Sequence, residues 1–150
     1  HKKIKTINLY DGNLELWSHD VNKIVGPMAY ILPVSQMREI KALNDKEKID
    51  FIVNFWKDKD PDEDTEKNEL LIEFSNRFSF VNENLSDLTG EGWSTERGRI
   101  YMIYGEPEST QTQTIRQDNT VIEVWRYSSG LEFIFENKFG TFILIQKSII

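Results

Sequence analysis

The hydrophobic positions recur with two different periods, which divide the chain into a helical part and a later strand part. Apolar residues recur every three or four positions in residues 45–57 and 65–84, and this period predicts two amphipathic helices. Beyond Gly98 the period becomes two, which predicts strands at residues 99–104, 121–127, 131–136 and 141–146. Short turn sequences separate the last three, so they predict an antiparallel meander. Helices that precede a meander are typical of an α+β domain, here with about four strands packed on the two helices.

Both predicted helices carry a clear apolar face. Asn44 can cap the first helix while Glu47 reaches back to the cap amide. Its apolar stripe consists of Ile49, Ile52, Val53 and Trp56. One face of the second helix collects Leu70, Phe74, Arg77, Phe78, Val81 and Leu85.

Two further segments complete the predicted organisation. Residues 3–18 predict a β-hairpin around Asp11-Gly12, so we expect residues 1–27 to be an N-terminal hairpin, consistent with the tail of a preceding domain, and residues 28–150 to be the α+β domain. Residues 106–120 are rich in Ser, Thr and Gln and predict a polar, mobile link. The chain begins without Met, which indicates a processed or cloned fragment and leaves a removed signal peptide or lipid anchor open.

Composition narrows the functions that this chain can have. The 150 residues carry a net charge of −7, which disfavours binding to nucleic-acid phosphates. Cysteine is absent from the sequence, which excludes disulfides and thiolate sites. His1 and His19 are the only histidines and both lie near the N-terminus, so a histidine-based triad is not expected. The apolar runs are too short for a transmembrane segment, which needs about 20 residues.

The densest cluster of functional groups is the sequence Gly92-Trp93-Ser94-Thr95-Glu96-Arg97-Gly98, which we call the tryptophan corner. As a ligand site, it would display Thr95, Glu96 and Arg97 around a wall formed by Trp93. As a structural element, Gly92 would supply an unusual backbone angle, Trp93 would fill a gap between helices and sheet, and Thr95 would cap a helical turn. Glu96 would then pair with a buried arginine, and the natural members of that network are Asn68, Glu69 and Arg77.

Three other patterns suggest chemistry. Residues 58–69 have the carboxylate spacing of a calcium loop, but Glu63 stands where the turn glycine belongs, so a solvated helix start is the preferred interpretation. Glu69, Glu96 and Glu106 are candidates for acid–base hydrolysis, although their spacing fixes no pair at a working distance. We also expect some strand aromatics to point away from the helices, because they alternate along adjacent strands. They would form an apolar patch for a partner or neighbouring domain, unless the N-terminal hairpin covers this outer face. These aromatics are Trp125, Tyr127, Phe133 and Phe135.

An ordered succession of short motifs over residues 28–145 resembles the bacterial GWxTD domain, whose name motif appears here as Gly92 to Glu96. The further motifs are Tyr30-Ile31-Leu32, the helix of residues 51–56, Asp58-x-Asp60-Pro61, Asn68-Glu69, Arg77, Arg97-Gly98-Arg99-Ile100, Tyr104-Gly105-x-Pro107 and Trp125-x-Tyr127. Glu96 replaces the final Asp of the motif, and a structural role tolerates this change better than catalytic geometry does. The resemblance implies an exported part of a bacterial envelope protein, and the family carries no established activity.

We therefore expect a non-catalytic scaffold or recognition module of the bacterial cell envelope, periplasmic or associated with the outer membrane. Its expected partners are other envelope proteins or neighbouring domains of the same parent chain, with no nucleic acid, cofactor or metal. The alternative is a ligand- or metal-dependent binder or hydrolase that uses Glu69, Glu96 and Arg97, in which Arg97 would hold a carboxylate or phosphate.

Overall fold

A computed structural model describes residues 20–150, which divide into two units between Ser79 and Phe80. The hairpin predicted at residues 3–18 lies outside the described residues, and the domain boundary predicted after residue 27 stays a prediction. Within residues 20–150, no helix combines the length and the apolar character that crossing a membrane requires.

The first unit is helical. It contains α1 (Val21–Val25), a 3₁₀ helix (Pro27–Tyr30), α2 (Val34–Lys41), α3 (Asp45–Asp58) and the first turns of α4 (Glu69–Asn84). The predicted capping box starts α3: Glu47 N donates to Asn44 Oδ1 at 3.0 Å, and Asn44 N donates to Glu47 Oε2 at 2.9 Å. The predicted helix is confirmed, and Ile52 and Trp56 of its apolar stripe are buried. Ile49, which we expected in the same stripe, is 37% exposed.

Asn68 defines the start of α4, four residues later than the period predicts. Its Oδ1 accepts a hydrogen bond from Leu71 N at 3.0 Å, and its amide group donates to Trp56 O at 2.5 Å. A side chain that caps the free amides of a helix fixes where the helix begins. The buried face contains Leu71, where we expected Leu70, followed by Phe74, Phe78, Val81 and Leu85.

Residues 96–104 form a helix, and the strand predicted at residues 99–104 is wrong. The second unit continues from the end of α4 through a 3₁₀ helix (Gly92–Ser94) into α5 (Glu96–Tyr104). A short apolar run suits a buried strand and a buried helix equally well, so its period cannot decide between them. The decision comes from the ends, because Thr95 caps the first turn and Gly105 ends the helix with a φ of 80°.

An antiparallel meander follows α5, with the strand order β1-β2-β3-β4. Its strands are β1 (Ser109–Ile115), β2 (Thr120–Arg126), β3 (Leu131–Lys138) and β4 (Thr141–Ile149). The α+β class, the antiparallel meander and the last three predicted strands are confirmed. The link predicted at residues 106–120 is wrong over its central part, because β1 pairs with β2 along seven residues. Because β1 has polar residues on both faces, its sequence lacks the alternation of apolar and polar residues that predicts a strand.

The strand aromatics share one face of the sheet, which corrects our expectation that some would point away from the helices. Trp125 lies opposite Phe133, and Glu123 lies opposite Phe135, so these side chains alternate in phase. Tyr101 and Tyr104 of α5 meet this face, with ring centres 6.3 Å from Trp125 and 5.2 Å from Phe133, respectively. Within this unit, α5 is therefore the helix that packs on the aromatic face.

Candidate functional site

Two glycines let the tryptophan corner stack backbone directly on backbone. A Cβ atom on Gly92 would lie 1.6 Å from Val81 O, in the last turns of α4. A Cβ atom on Gly98 would lie 1.6 Å from Gly92 O. The close approach of three backbone segments, and not an unusual φ angle, is the reason for glycine at these positions.

Thr95 joins the same segments through its hydroxyl group, which is fully buried. Thr95 Oγ1 accepts a hydrogen bond from Gly98 N at 3.0 Å, which makes it the N-cap of α5. The hydroxyl hydrogen can be donated to Gly92 O at 2.9 Å or to Leu85 O at 3.1 Å. The predicted capping role of Thr95 is confirmed.

The backbone of Trp93 is held by the C-terminal turn of α4. Trp93 N donates to Asn82 Oδ1 at 3.0 Å, and Gly92 N donates to Ser86 Oγ at 3.0 Å. The half-buried indole donates through Nε1 to Glu91 Oε2 at 3.1 Å. The side chains of Asn82 and Ser86 therefore hold the backbone of the corner against the C-terminal end of α4.

Glu96 and Asp87 accept hydrogen bonds from the outer edge of β4. Every second amide of an edge strand points away from its neighbour. On β4 these include Phe142 N, which donates to Asp87 Oδ2 at 3.3 Å, and Leu144 N, which donates to Glu96 Oε2. A bulge follows directly, since Phe135 pairs with Leu144 and Ile134 with Gln146. The two carboxylates therefore occupy backbone donors that would otherwise be open to another strand.

Arg97 is enclosed between β2 and β4. One guanidinium nitrogen, Nη1, lies 3.3 Å from Glu123 Oε2, and the guanidinium carbon lies 3.5 Å from the centre of the Phe142 ring. Glu123 Oε1 also accepts a hydrogen bond from Trp125 Nε1 at 2.5 Å. Arg97 Nε is buried without an acceptor among the described residues. Arg97 thus contributes an ion pair and a cation–π contact to the interior of this unit.

Asp87 is the acid of this region whose ionisation the structure perturbs. Burial would raise the pKa of the Asp87 carboxyl, but hydrogen bonds from the Thr89 hydroxyl, Thr89 N and Phe142 N outweigh it, together with the charge of Arg97. The pKa of Asp87 therefore lies below its ordinary value of 3.8. A lowered pKa stabilises the fold above pH 3.8, and this stabilisation disappears as the pH falls through the lowered value.

We expect Asp87→Asn to destabilise the fold by about 0.5–1.5 kcal/mol at pH 7, because charge-assisted hydrogen bonds are lost. The difference from the unaltered protein should shrink as the pH falls below 3.8 and through the lowered pKa of Asp87, because the wild-type carboxyl then becomes protonated too. Urea unfolding of both proteins over a pH series measures this difference in the free energy of unfolding. The control is Asp50→Asn, which removes the same charge from an exposed position of α3. A stability difference that stays constant from pH 7 to pH 3 would contradict this role for Asp87.

The seven predicted site residues fall into the two units. Asn68, Glu69 and Arg77 belong to the first unit, where Thr65 Oγ1 lies 2.5 Å from Glu69 Oε1 and Arg77 Nε lies 2.7 Å from Glu73 Oε1. Trp93, Thr95, Glu96 and Arg97 belong to the second unit. The bonds of Glu96 and Arg97 described above go to strand residues that the sequence did not single out.

Sequence reasoning missed the partners of the corner on the strands, which are Glu123, Phe142 and Leu144, and it also missed Asp87, which accepts from Phe142 N. One signal was available, because Glu123 is a charged residue inside the apolar strand Val121-Ile122-Glu123-Val124-Trp125. A carboxylate in a buried strand needs a cationic or hydrogen-bonding partner. The amide groups of Phe142 and Leu144 left no signal, since backbone donors do not depend on residue type.

A cleft of about 400 Å³ lies near the start of β1. Its wall includes Phe80, Tyr101, Glu106, Glu108, Glu123 and Trp125. None of the seven predicted site residues lines this cleft. No group of three His, Asp or Glu side chains in residues 20–150 is placed to hold a metal ion, and this includes the calcium-like spacing of residues 58–69.

The fold and the sequence of the tryptophan corner indicate the protein family of this chain, but they do not indicate a reaction. The model of the GWxTD domain family matches residues 17–145, and this chain belongs to that family. Comparison with curated proteins and with solved structures finds no match.

Proposed function

We propose that this chain is a non-catalytic scaffold or recognition module of a bacterial cell-envelope protein, and that the tryptophan corner braces its second unit internally. The main support for the proposal is that the polar side chains of the motif form contacts within the protein. Thr95 is a buried cap, Glu96 holds Leu144 N, and Arg97 lies between Glu123 and Phe142. A reactive or ligand-binding group needs to be available to a ligand, whereas these groups are engaged with the protein.

The replacement of Asp by Glu in the name motif agrees with this role. Glu96 opens α5, where a negative charge is favourable, and its carboxylate reaches the edge of β4. A contact with a strand amide needs only an acceptor at the right distance. It does not need the fixed orientation that proton transfer or metal binding requires.

The alternative, a ligand- or metal-dependent binder or hydrolase, would need Glu69, Glu96 and Arg97 to act together. Glu96 is exposed to solvent, which favours this alternative, but its carboxylate is hydrogen bonded to Leu144 N. Arg97 would have to leave Glu123 in order to hold an anionic ligand, and this would expose a buried pair at a substantial energetic cost.

We expect Glu96→Gln to lower the melting temperature, with a loss of about 0.5–1.5 kcal/mol, because a neutral amide accepts more weakly than a carboxylate. Thermal unfolding by circular dichroism measures this. Glu106→Gln is the control, since it removes the same charge from an exposed cleft residue. An unchanged melting temperature for Glu96→Gln, with loss of a bound molecule or activity, would favour the alternative.

The proposed location and partners need a separate experiment. Fractionation of the producing bacterium should place the protein with the envelope, and affinity capture from envelope extract should retain the same partners with Glu96→Gln as with the wild type. Recovery of the protein in the cytoplasmic fraction would contradict the proposed location. Loss of all partners from folded Glu96→Gln would show that the corner contacts them.

A further inference from the structure

The two edge strands of the sheet, β1 and β4, differ in whether their outward backbone groups have hydrogen-bond partners. At β4, carboxylates of Asp87 and Glu96 occupy outward amides. At the opposite edge, all seven residues of β1 are exposed, and no strand in residues 20–150 pairs with its outer side. β1 contains neither proline nor charged residues, although proteins commonly use both to keep edge strands from pairing.

The sequence of β1 is symmetric about Thr112. Residues 110–114 read Thr-Gln-Thr-Gln-Thr in both directions. If two copies of β1 pair antiparallel about Thr112, Thr110 meets Thr114 and Gln111 meets Gln113. Threonine pairs and amide pairs across antiparallel strands are favourable, and partners in this register lie on the same face of the sheet.

The charges that flank β1 fit the same register. Glu108 precedes the strand and Arg116 follows it, and pairing about Thr112 places each Glu108 level with the Arg116 of the other copy. Asp118 would be level with Glu106, but its carboxylate accepts Thr120 N within the β1–β2 turn, at 2.9 Å. The charges nearest the strand are therefore complementary in a two-fold arrangement.

We propose that β1 is a self-association surface, through which two copies of this chain form a two-fold dimer with a continuous eight-stranded sheet. A surface that contains its own complement closes as a dimer. At the opposite edge, Asp87 and Glu96 occupy the outward amides of Phe142 and Leu144. Because the contact is a single pair of short strands, the dimer is weak and dissociates on dilution. This inference does not depend on the role of the tryptophan corner.

Two matched double variants test the register of this pairing. Both carry Glu at position 111, so both change the contact between Gln111 Oε1 and Arg126 Nη1, which are 3.4 Å apart, in the same way. In Q111E/Q113K, each glutamate faces a lysine of the second copy. In Q111E/Q113E, each faces another glutamate. Sedimentation equilibrium should show at least about tenfold tighter dimerisation for Q111E/Q113K, since the dimer contains two such pairs. Equal dissociation constants would overturn the proposal.

The unaltered chain provides a second measurement that does not depend on the folding of variants. The amides on the outer side of β1 should become more protected from hydrogen exchange as protein concentration rises to about 1 mM. A chain that stays monomeric in this range overturns the proposal. Protection that does not change with concentration also overturns it, and would assign this edge to a segment of the same chain.

Discussion

Gly98→Ala should destabilise the second unit by about 2–3 kcal/mol, although alanine forms helices better than glycine. At an exposed helical site this change stabilises by about 0.5–1 kcal/mol. Here the new Cβ would lie 1.6 Å from Gly92 O, a backbone atom that no rotamer change can move. α5 must shift away from the 3₁₀ helix, which adds overpacking of about 1–3 kcal/mol to the loss of the Thr95 cap, about 1 kcal/mol.

Urea unfolding followed by tryptophan fluorescence measures this loss, and Gly140→Ala is the matched control. Gly140 has a φ of 87°, and a Cβ there meets its nearest atom, Leu88 Cδ1, at 3.6 Å. The control should therefore lose only about 1–2 kcal/mol, from backbone strain. If Gly98→Ala is no less stable than Gly140→Ala, the close approach of the backbones does not determine stability.

The second large effect is expected for Arg97→Met, which should destabilise by about 3 kcal/mol. Methionine can fill the space over the Phe142 ring, but it leaves the carboxylate of Glu123 without its cation. The Glu123 side chain is only 17% exposed, so water replaces little of the lost interaction. Removing one partner of a buried pair is strongly destabilising, because the other charge stays behind.

A double-mutant cycle separates the ion pair from packing. Glu123→Gln keeps an acceptor for Trp125 Nε1 and removes the charge that faces Arg97. The double variant Arg97→Met/Glu123→Gln should be at least about 1 kcal/mol more stable than the sum of the single effects predicts. Strictly additive effects would show that the pair contributes nothing and that Arg97 acts through packing alone.

The secondary structure that the sequence predicts correctly is specified by local signals. The capping box at Asn44 and the turns around Gly130 and Gly140 determine α3 and the last three strands without long-range information. The two segments assigned to the wrong kind of structure, residues 99–104 and the centre of residues 106–120, have different causes. An apolar run became a helix because Thr95 caps it, and a uniformly polar run became a strand because β2 lies beside it.

The candidate site shows the same division between local and long-range information. Trp93, Thr95, Glu96 and Arg97 could be selected from their density in the sequence. Their partners on the strands could not, because Glu123 and Leu144 are distant in sequence and reach the corner only through the sheet register. A sequence motif can therefore identify the residues of a site, but the long-range contacts are needed to decide whether those residues stabilise the fold or bind a ligand.

The most direct test of the bracing role is hydrogen exchange at the Leu144 amide, measured by NMR in the wild type and in Glu96→Ala. The bond from Leu144 N to Glu96 should protect this amide, and the alanine variant should exchange it markedly faster while Val124 N in β2 stays protected. Rapid exchange of Leu144 in the wild type, at the same rate as in the variant, would contradict the account.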